Sequence, residues 1–436
     1  MRLKTRTITS TSSDAEESDM PSSFNRLRVG FISQWFPPEP AIVPANIFDA
    51  IAKHFDVVAI TGQPNYPEGV LHEGFKAGAT SYAIEFGRKV RRTPLYPDHS
   101  VSAIGRVLNY CSWALSATVF ARREVRRSDV NFVYASPIMA ALPAMVARAI
   151  HGVPFVLNIQ DLWPDSVFAT GFIRNGPLRK IAEWSINRFA NISYRMASAV
   201  ITISPGMAQV LELRGVDPSK IHLVYNWADE STIDNREVST ERVRSELGVQ
   251  PNTKMLIYAG NIGAAQELHH LIGALSVLAA EDQLDCHLVI IGDGVELPHI
   301  KSMVRDLSLE EHVSFLGRIP STEVPRFLAS ADASVVSLGD SPLFRHTMPS
   351  KVQSILACGS PIFVIGEGDV ADVAVKSGAG WATSSDRESL VRELRKFSAD
   401  RQDRGRRAAA TSLYHGEMSK RIGTEKLATI LRASAN

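Results

Sequence analysis

The 436-residue chain has few cysteines and no long apolar run. Its three cysteines, Cys111, Cys286 and Cys358, are far apart and show no CxxC spacing, which predicts a reducing compartment without a disulfide framework or a zinc site. The longest apolar stretch, Ile138–Ala147, is interrupted by Pro143 and has half of the roughly 20 residues that a membrane-spanning helix needs. The first residues also lack the apolar segment of a signal peptide. We therefore expect a cytoplasmic protein.

Two phosphate-binding signatures are missing as well. The sequence contains no GxxxxGK(S/T) loop, which argues against an ATPase, and no GxGxxG after its first apolar run, which argues against a dinucleotide-dependent oxidoreductase. Hydrophobic residues make up 45% and charged residues 21% of the chain. This composition is ordinary for a globular protein and excludes a disordered, collagenous or coiled-coil chain.

Charge is distributed unevenly between the two halves. Residues 27–228 contain 20 Lys and Arg against 14 Asp and Glu, whereas residues 229–436 contain 23 against 28. This asymmetry predicts that an anionic acceptor or surface meets the first half, although chance variation would explain it equally well. Because the net charge is +1 and aromatic residues do not interleave with basic ones, we expect no nucleic-acid partner.

Basic residues of the first half form two clusters. They are Arg88, Lys89, Arg91 and Arg92, and then Arg122, Arg123, Arg126 and Arg127. The second cluster ends a predicted helix, Ile104–Arg127, whose apolar body includes Trp113 and Phe120. Such a helix can lie on an anionic inner-membrane surface, or it can be an ordinary helix with an exposed basic end.

Short apolar runs alternate with helix-like stretches after residue 26. Residues 1–26 contain ten Ser or Thr and no hydrophobic periodicity, which predicts a disordered extension. The alternation is typical of parallel sheets covered on both faces, and the polar residues 229–253 divide it into two sets. We predict an α/β fold with two doubly wound, Rossmann-like domains, residues 27–228 and 254–410, that face a cleft. Residues 229–253 would form the linker and residues 411–436 a C-terminal helix.

Glycines follow two predicted strands of the second half. Gly260 and Gly263 flank Asn261 after one strand, and Gly292 ends the next. Ligands of doubly wound folds bind beyond the carboxyl ends of strands. Glycines at such positions let the backbone approach a ligand and leave amides free for a phosphate. A plain strand-to-helix turn would show the same pattern.

A second candidate anion site follows Pro349. Ser350 and Lys351 lie at the amino end of a predicted helix, where backbone amides and a lysine can bind a diphosphate. The alternative is a solvated lysine in a first helical turn, which the helix dipole does not favour.

Gln160 and Asp161 come directly after a buried strand of the first half. The Asp161 carboxylate can act as a base or anchor an acceptor there. It can equally cap the following helix.

Several segments together resemble one known family. WFPPEP, GQPNYPEG, QDLWPDS, SPGM, YNWAD, YAGNIG, IGDG, FLGRIP and MPSK stand in the order and at the spacing of bacterial glycosyltransferase family 4, from about residue 27 to 397. Within that family the sequence is similar to the subgroup that builds O-antigen, capsule and colanic-acid-type polysaccharides, including N-acetyl-fucosaminyl transferases.

The resemblance implies a GT-B fold, with the acceptor on the first domain and a nucleotide-sugar donor on the second. It also implies a retaining reaction that needs neither a metal nor another cofactor. The implied donor-binding residues are Gly260, Asn261, Gly263, Gly292, Arg318, Ile319, Ser350, Lys351 and Gln353. Arg318 and Ile319 would hold the base. Lys351 and Asp161 would be the catalytic residues, with Asp161 beside the acceptor hydroxyl or the transferred sugar.

The sequence departs from the family pattern at several positions. The two acids of the family's Glu-x7-Glu motif fall on His346 and Ser354, so both are absent. The basic residue that usually follows the first glycine loop is Gln266, and residues 41–46 read AIVPAN where the family has a small, Gly-rich loop. Gln353 is a candidate substitute for the ribose contact. Without the acids, Lys351 and the helix dipole carry more of the leaving-group stabilisation.

The sequence therefore predicts a retaining glycosyltransferase that moves a sugar from a nucleotide-sugar to a lipid-linked oligosaccharide in cell-surface polysaccharide synthesis, peripheral on the cytoplasmic face of the membrane. One alternative is a nucleotide-sugar 2-epimerase, which shares the two-domain architecture. The other is a non-catalytic nucleotide-sugar-binding protein, which the two missing acids would explain.

Overall fold

The computed structural model describes residues 26–98, 103–165, 177–233, 239–400 and 403–436. Except for Arg26, the predicted N-terminal extension lies outside the described residues. The strands are β1 Arg28–Ile32, β2 Asp56–Gly62, β3 Ser81–Glu85, β4 Arg88–Thr93, β5 Val130–Ala135, β6 Phe155–Ile159, β7 Ala199–Thr202, β8 Ile221–Leu223, β9 Lys254–Ala259, β10 Cys286–Ile291, β11 Val313–Gly317, β12 Ala333–Ser337, β13 Ile362–Ile365 and β14 Gly380–Thr383.

Helices connect most of these strands. The α-helices are α1 Ile42–Ala52, α2 Ala103–Phe120, α3 Arg122–Arg127, α4 Leu142–His151, α5 Pro177–Met196, α6 Pro205–Leu213, α7 Thr240–Glu246, α8 His269–Ala280, α9 Leu297–Asp306, α10 Val324–Ser330, α11 Pro342–Arg345, α12 Ser350–Ala357, α13 Asp369–Lys376, α14 Arg387–Ala399, α15 Asp403–Leu413 and α16 Lys420–Ala435.

Eight strands form the first sheet, in the order β3-β4-β2-β1-β5-β6-β7-β8. All of its pairings are parallel except that of β3 with β4. Every residue of β5 and β6 is buried, because helices cover both faces of a parallel sheet. On one face the rings of Phe31 and Phe132, from adjacent strands, stack with centroids 5.3 Å apart.

Six strands form the second sheet, in the order β11-β10-β9-β12-β13-β14, and all of its pairings are parallel. Separate apolar clusters cover its two faces. The predicted fold class, two doubly wound α/β domains, is thereby confirmed.

The strands β3 and β4 were not predicted, because their sequences SYAIE and RKVRRT are too polar to read as strands. All four basic residues of the first cluster belong to β4, and each pairs with an acid. The pairs are Arg88–Asp49, Lys89–Asp56, Arg91–Glu124 and Arg92–Glu85. This cluster is therefore committed to intramolecular ion pairs and does not form a free basic surface.

The single helix predicted from Ile104 to Arg127 is two helices. Ala121, with φ −104° and ψ 10°, separates α2 from α3. Trp113 is fully buried in the core and does not face solvent. The four arginines of α3, residues 122, 123, 126 and 127, are exposed.

The C-terminal helix α16 returns to the first domain. Its Leu427 and Leu431 pack in the cluster that contains Phe31. Near the start of α16, the Glu230 carboxylate accepts hydrogen bonds from the Tyr414 hydroxyl and the Lys420 backbone amide, both at 2.8 Å. Within the predicted linker, Val243 and Val249 join the core of the second domain.

No helix in the described part of the chain combines the length and the apolar character needed to cross a bilayer.

Candidate functional site

The carboxyl ends of β9, β10 and β11 border a cavity of about 470 Å³, here called the second-domain cavity. Six predicted donor-binding residues line it, namely Gly260, Asn261, Gly292, Arg318, Ile319 and Lys351. Gly260 and Gly292 have φ values of 148° and 136°, which side-chain-bearing residues rarely adopt. A Cβ on Gly292 would also overlap the carbonyl oxygen of Gly260. The glycines are thus required for the two strand ends to meet.

The Lys351 side chain points into the second-domain cavity. Its Nζ lies 3.4 Å from the Tyr258 hydroxyl and 4.5 Å from the centre of the Tyr258 ring. A Cβ placed on Gly260 would be 3.0 Å from the same Nζ. Burial lowers the pKa of Lys351 to about 8, because desolvation disfavours the charged form. Within the described residues no carboxylate forms an ion pair with this ammonium, so it is placed to bind an external anion.

The amino end of α12 lies beside Lys351. Pro349 occupies the N-cap position, with φ −60° and ψ 139°, and no side chain caps the helix. Ser350 is exposed at the first helical position and is not among the residues that line the cavity. Lys351 therefore lines the cavity, whereas Ser350 is the first residue of the helix and does not line it.

Gly263 differs from the prediction. Its backbone amide donates to the side-chain oxygen of Gln266 at 3.0 Å, and the residue is not part of the cavity lining. Gln266 stands where the family has a basic residue. It accepts the hydrogen bond of the Gly263 amide, which was expected to be free for a phosphate. The neighbouring Asn261 is held by the Tyr258 hydroxyl, which donates to its carbonyl at 2.5 Å.

Gln353 also differs from the prediction. Its side chain is almost completely buried. With its nitrogen oriented toward acceptors, the amide donates to the carbonyls of Pro349 and Ser350 at 3.2 and 3.0 Å. Gln353 is thus hydrogen-bonded to the first residues of its own helix and does not line the cavity. Ser354, at the position of the second missing acid, does line the cavity.

The loop after β11 forms a further side of the second-domain cavity. Ile319 and Arg318 line it, and the Arg318 guanidinium lies 3.3 Å from the Asp293 carboxylate. Arg318 is otherwise largely exposed, so its side chain is held mainly by this surface ion pair.

A larger cavity of about 770 Å³ lies between the domains and is here called the interdomain cavity. Asp161 lines it together with His346 of the second domain, the position of the first missing acid. The Asp161 carboxylate accepts a hydrogen bond from the Ser136 hydroxyl at 2.9 Å. Asp161 is exposed, yet desolvation by the protein around its carboxylate raises its pKa, and the hydrogen bond from Ser136 acts in the opposite direction. The segment that Asp161 would cap extends into residues 166–176, outside the described residues, so the ligand role and the helix cap both stay predictions.

Aromatic side chains surround Asp161. The ring of Trp35 lies 5.2 Å from that of Tyr66 and 6.2 Å from that of Tyr110, which is 6.1 Å from Trp163. The sequence analysis did not assign these residues to a site. The signal was in the WFPPEP, GQPNYPEG and QDLWPDS segments, which place Trp35, Tyr66 and Trp163 within four residues after a strand.

Glu39 fixes the two loops that bring these aromatics together. Its buried carboxylate accepts hydrogen bonds from the amides of Phe36, Asn65 and Tyr66 at 2.8–2.9 Å. Burial raises the pKa of Glu39, while the three amides and the Arg92 charge act against that rise. The single acid of WFPPEP is thus a positioning residue, which sequence reasoning had missed.

Direct contacts join the domains beside the interdomain cavity. The Ser204 hydroxyl donates to the carbonyl of His346 at 2.8 Å, and the Gly206 amide donates to the Asp369 carboxylate at 2.8 Å. A Cβ on Gly206 would collide with both His346 and Asp369. Glycine at this position therefore permits the close approach of the two domains.

Comparisons with known proteins find relatives of both domains. The family model described as "Glycosyl transferase 4-like domain" matches residues 39–227, and that described as "Glycosyl transferases group 1" matches residues 239–412. The putative colanic acid biosynthesis glycosyl transferase WcaI of Escherichia coli is 26% identical over 319 residues, covering 72% of this chain and 76% of the relative. N-acetyl-alpha-D-glucosaminyl L-malate synthase of Bacillus anthracis is 26% identical over 199 residues, covering 45% of this chain and 49% of the relative.

A solved structure supports the fold independently. Anabaena HepE in complex with UDP aligns with a TM-score of 0.67 at 16% identity, covering 93% of this chain and 100% of that chain. The two matched family models between them include every strand except β1, and every residue that lines the two cavities except Trp35. The chain therefore belongs to the glycosyltransferase family, with a glycosyltransferase 4-like first domain and a group 1 second domain.

Proposed function

We propose that the protein is a retaining, metal-independent glycosyltransferase that moves a sugar from a nucleotide-sugar to a lipid-linked oligosaccharide during cell-surface polysaccharide synthesis, at the cytoplasmic face of the membrane. The observation that carries the proposal is the partly buried Lys351 ammonium beside Gly260 and the start of α12. A cation in the first turn of a helix that borders a cavity is placed to bind a diphosphate.

The donor is bound in the second-domain cavity. Its diphosphate contacts Lys351 and the strand-end glycines, and its base lies toward Arg318 and Ile319. The structural neighbour HepE was solved with UDP, which supports a nucleoside diphosphate as the ligand class. The relative WcaI is described as acting in colanic acid biosynthesis, which supports a polysaccharide pathway.

The reaction breaks the bond between the anomeric carbon and a diphosphate oxygen. Negative charge develops on that oxygen, and the Lys351 ammonium stabilises it. The acceptor hydroxyl attacks from the same face, forms the new glycosidic bond and gives its proton to the departing diphosphate. Before the transfer Asp161 orients that hydroxyl by accepting its hydrogen bond, while Ser136 holds the carboxylate in place; the proton passes to the diphosphate oxygen as the anomeric bond breaks. Contact between the domains excludes water that would otherwise hydrolyse the donor.

The segment from Pro342 to Ala357 connects the proposed donor site with the proposed acceptor site. His346 and Thr347 line the interdomain cavity, whereas Lys351 and Ser354 line the second-domain cavity. One short segment thus borders both proposed substrate sites.

The test begins with a thermal-shift screen of UDP, GDP, dTDP and their sugars, since a ligand that binds the native state raises its melting temperature. The best donor is then incubated with lipid acceptors, and sugar transfer and nucleoside diphosphate release are measured. We expect both products in equal amounts. An isomerised sugar formed without an acceptor would identify an epimerase, and tight binding without turnover would identify a binding protein.

A further inference from the structure

The outer strand of the first sheet, β3, exposes apolar side chains beside a free edge. Among the residues that the structure describes, β3 pairs with β4 and with no other strand. Tyr82 and Ile84 are 53% and 76% exposed, and Ala83 between them is exposed as well. Natural edge strands commonly carry lysine or proline, because an unprotected edge pairs with another strand. The sequence SYAIE contains neither, so β3 has the properties of a docking edge.

The strand β3 is held firmly in the sheet. Its side chains alternate between the two faces, which places Tyr82 and Ile84 on one face and Glu85 on the other. The Glu85 carboxylate forms an ion pair with Arg92, whose side chain is completely buried. The edge is therefore pre-organised, and pre-organisation lowers the entropic cost of binding a partner.

The basic residues beside the exposed face of β3 are neutralised. In the register of β3 with β4, Arg91 lies opposite Tyr82 and Lys89 opposite Ile84. Both cations form the ion pairs described above, and the Arg91 guanidinium lies 5.1 Å from the centre of the Tyr82 ring. An anionic partner would gain little from cations that are already paired. The face is better matched to a partner without net charge at the contact.

The strand is complementary to a second copy of itself. In an antiparallel pairing centred on Ala83, Tyr82 of each copy lies opposite Ile84 of the other, and Ser81 lies opposite Glu85. Aromatic and β-branched side chains form a favourable cross-strand pair, and a hydroxyl can donate to a carboxylate. Because Ala83 is the middle of the five-residue strand, this register pairs all five residues.

We propose that the protein forms a two-fold symmetric homodimer through β3, in which the two eight-stranded sheets join edge to edge. The same strand serves as the contact on both copies, so the assembly closes at two. A covered aromatic side chain contributes about 150–250 Å², so Tyr82 and Ile84 bury less than the roughly 800 Å² per partner of a standard interface. We therefore expect a weak dimer with a dissociation constant in the micromolar range.

The decisive variant is Ile84→Lys. A lysine on an edge strand disfavours pairing, because its ammonium loses water at the interface. Ile84 lies outside the core, so the melting temperature should stay close to that of the wild type. The matched control is Val375→Lys, since Val375 is 57% exposed on α13 of the second domain. Both variants replace an exposed β-branched residue by lysine and add the same charge to the chain.

Sedimentation equilibrium measures the association between about 1 and about 500 μM protein, the range that a small interface calls for. We expect the wild type and Val375→Lys to change from monomer to dimer within this range. Ile84→Lys should weaken the dimer about tenfold or more, because each copy loses its Tyr82–Ile84 pair.

A cysteine on the two-fold axis provides a second measurement. Directly opposite residues of antiparallel strands have Cα atoms about 4.5–5.5 Å apart, a separation that a disulfide spans. With oxidised glutathione, Ala83→Cys should therefore form a covalent dimer. The wild type, with its three free cysteines, and Ala408→Cys, at an exposed position of α15, should remain free of it.

A wild type that stays monomeric throughout the concentration range would overturn the proposal. Equal dimerisation of the wild type and Ile84→Lys, or no covalent dimer of Ala83→Cys, would place the interface elsewhere and overturn it as well. A monomer that adsorbs to phosphatidylcholine vesicles, with adsorption lost in Ile84→Lys, would replace the second copy by a membrane. None of these measurements uses sugar transfer, so their outcome is separate from that of the proposed function.

Discussion

The Nζ of Lys351 lies over the ring of Tyr258, 4.5 Å from its centre, on the floor of the second-domain cavity. A cation–π contact partly offsets the cost of burying the ammonium but does not neutralise its charge. Tyr258 is fixed in turn, because its hydroxyl donates to the Asn261 carbonyl. Lys351 is thus held in a defined position while its charge stays available to a ligand.

Replacing Lys351 by Met should separate function from stability. The methionine fills the space of the lysine stem, and removing a buried charge relieves its desolvation cost. We expect turnover to fall on the order of a hundredfold, as for the loss of one transition-state donor, with a melting temperature equal to or above that of the wild type. Steady-state kinetics and thermal unfolding measure the two quantities.

Lys376→Met is the matched control for that experiment, because Lys376 belongs to the same domain and forms an exposed pair with Asp372. It should change neither turnover nor the melting temperature appreciably. Parallel loss of activity and stability in Lys351→Met would make Lys351 a structural residue.

Nucleotide affinity should depend on pH through Lys351. Burial lowers its pKa to about 8, so the ammonium is charged below that pH and loses its proton above it. A bound diphosphate favours the charged form. Affinity should therefore be level below about pH 8 and decline as the pH rises beyond it, which calorimetry between pH 6.5 and about pH 9.5 can follow.

Lys351→Arg provides the internal check, because a guanidinium stays protonated throughout this range. Whatever its absolute affinity, this variant should show no decline above pH 8. A decline of equal size in both proteins would assign the titration to another group.

The sequence was sufficient to predict the two doubly wound domains, because buried parallel strands such as β5 and β6 are apolar at almost every position. It was insufficient for β3 and β4, whose charged residues are satisfied by Asp49, Glu124 and other acids distant in the sequence. Partners at that separation leave no local pattern. The α2–α3 break at Ala121 had no proline or glycine to indicate it.

In the candidate site, too, some features could be predicted from the sequence and others could not. Backbone requirements were readable, as for Gly260 and Gly292, because glycine at a strand end has few alternatives. The directions of the side chains could not be predicted. The Gln353 amide donates to carbonyls at the start of its own helix, and the Gln266 side-chain oxygen accepts from the Gly263 amide. Both outcomes depend on which hydrogen-bond partner each side-chain amide meets in the folded chain, and spacing alone does not determine that.

Asp161→Asn should impair transfer without weakening donor binding. The amide keeps the size of the side chain but is a poorer acceptor for the attacking hydroxyl, so we expect a loss of about a hundredfold or more in kcat. Because the pKa of Asp161 is raised, wild-type transfer should also decline with acidification at a higher pH than an ordinary aspartate would cause. Kinetics with saturating donor measure both effects.

The exposed Asp372 offers a control of the same chemistry, and Asp372→Asn should leave kcat unchanged. If Asp161→Asn instead weakened nucleotide binding with kcat intact, the carboxylate would belong to the donor site rather than the acceptor site.

Chelation should leave the activity unchanged. In the proposed mechanism Lys351 and the start of α12 supply the positive charge that other phosphate-transferring sites obtain from a divalent cation. Turnover measured after dialysis against EDTA should equal that measured with added Mg²⁺ or Mn²⁺. A loss that either ion restores would contradict the metal-independent reaction.

Two glycine substitutions should shift stability in opposite directions. Gly292→Ala places a Cβ against the Gly260 carbonyl at a φ of 136°, so at least about 1–3 kcal/mol of backbone strain accompanies the overlap. Gly273→Ala lies inside α8 with open space around the new Cβ, where alanine is favoured over glycine by about 0.5–1 kcal/mol. Denaturant unfolding should therefore show Gly292→Ala less stable and Gly273→Ala slightly more stable than the wild type. Nucleotide binding should weaken only in Gly292→Ala, because only that substitution pushes apart the two strand ends that approach the diphosphate.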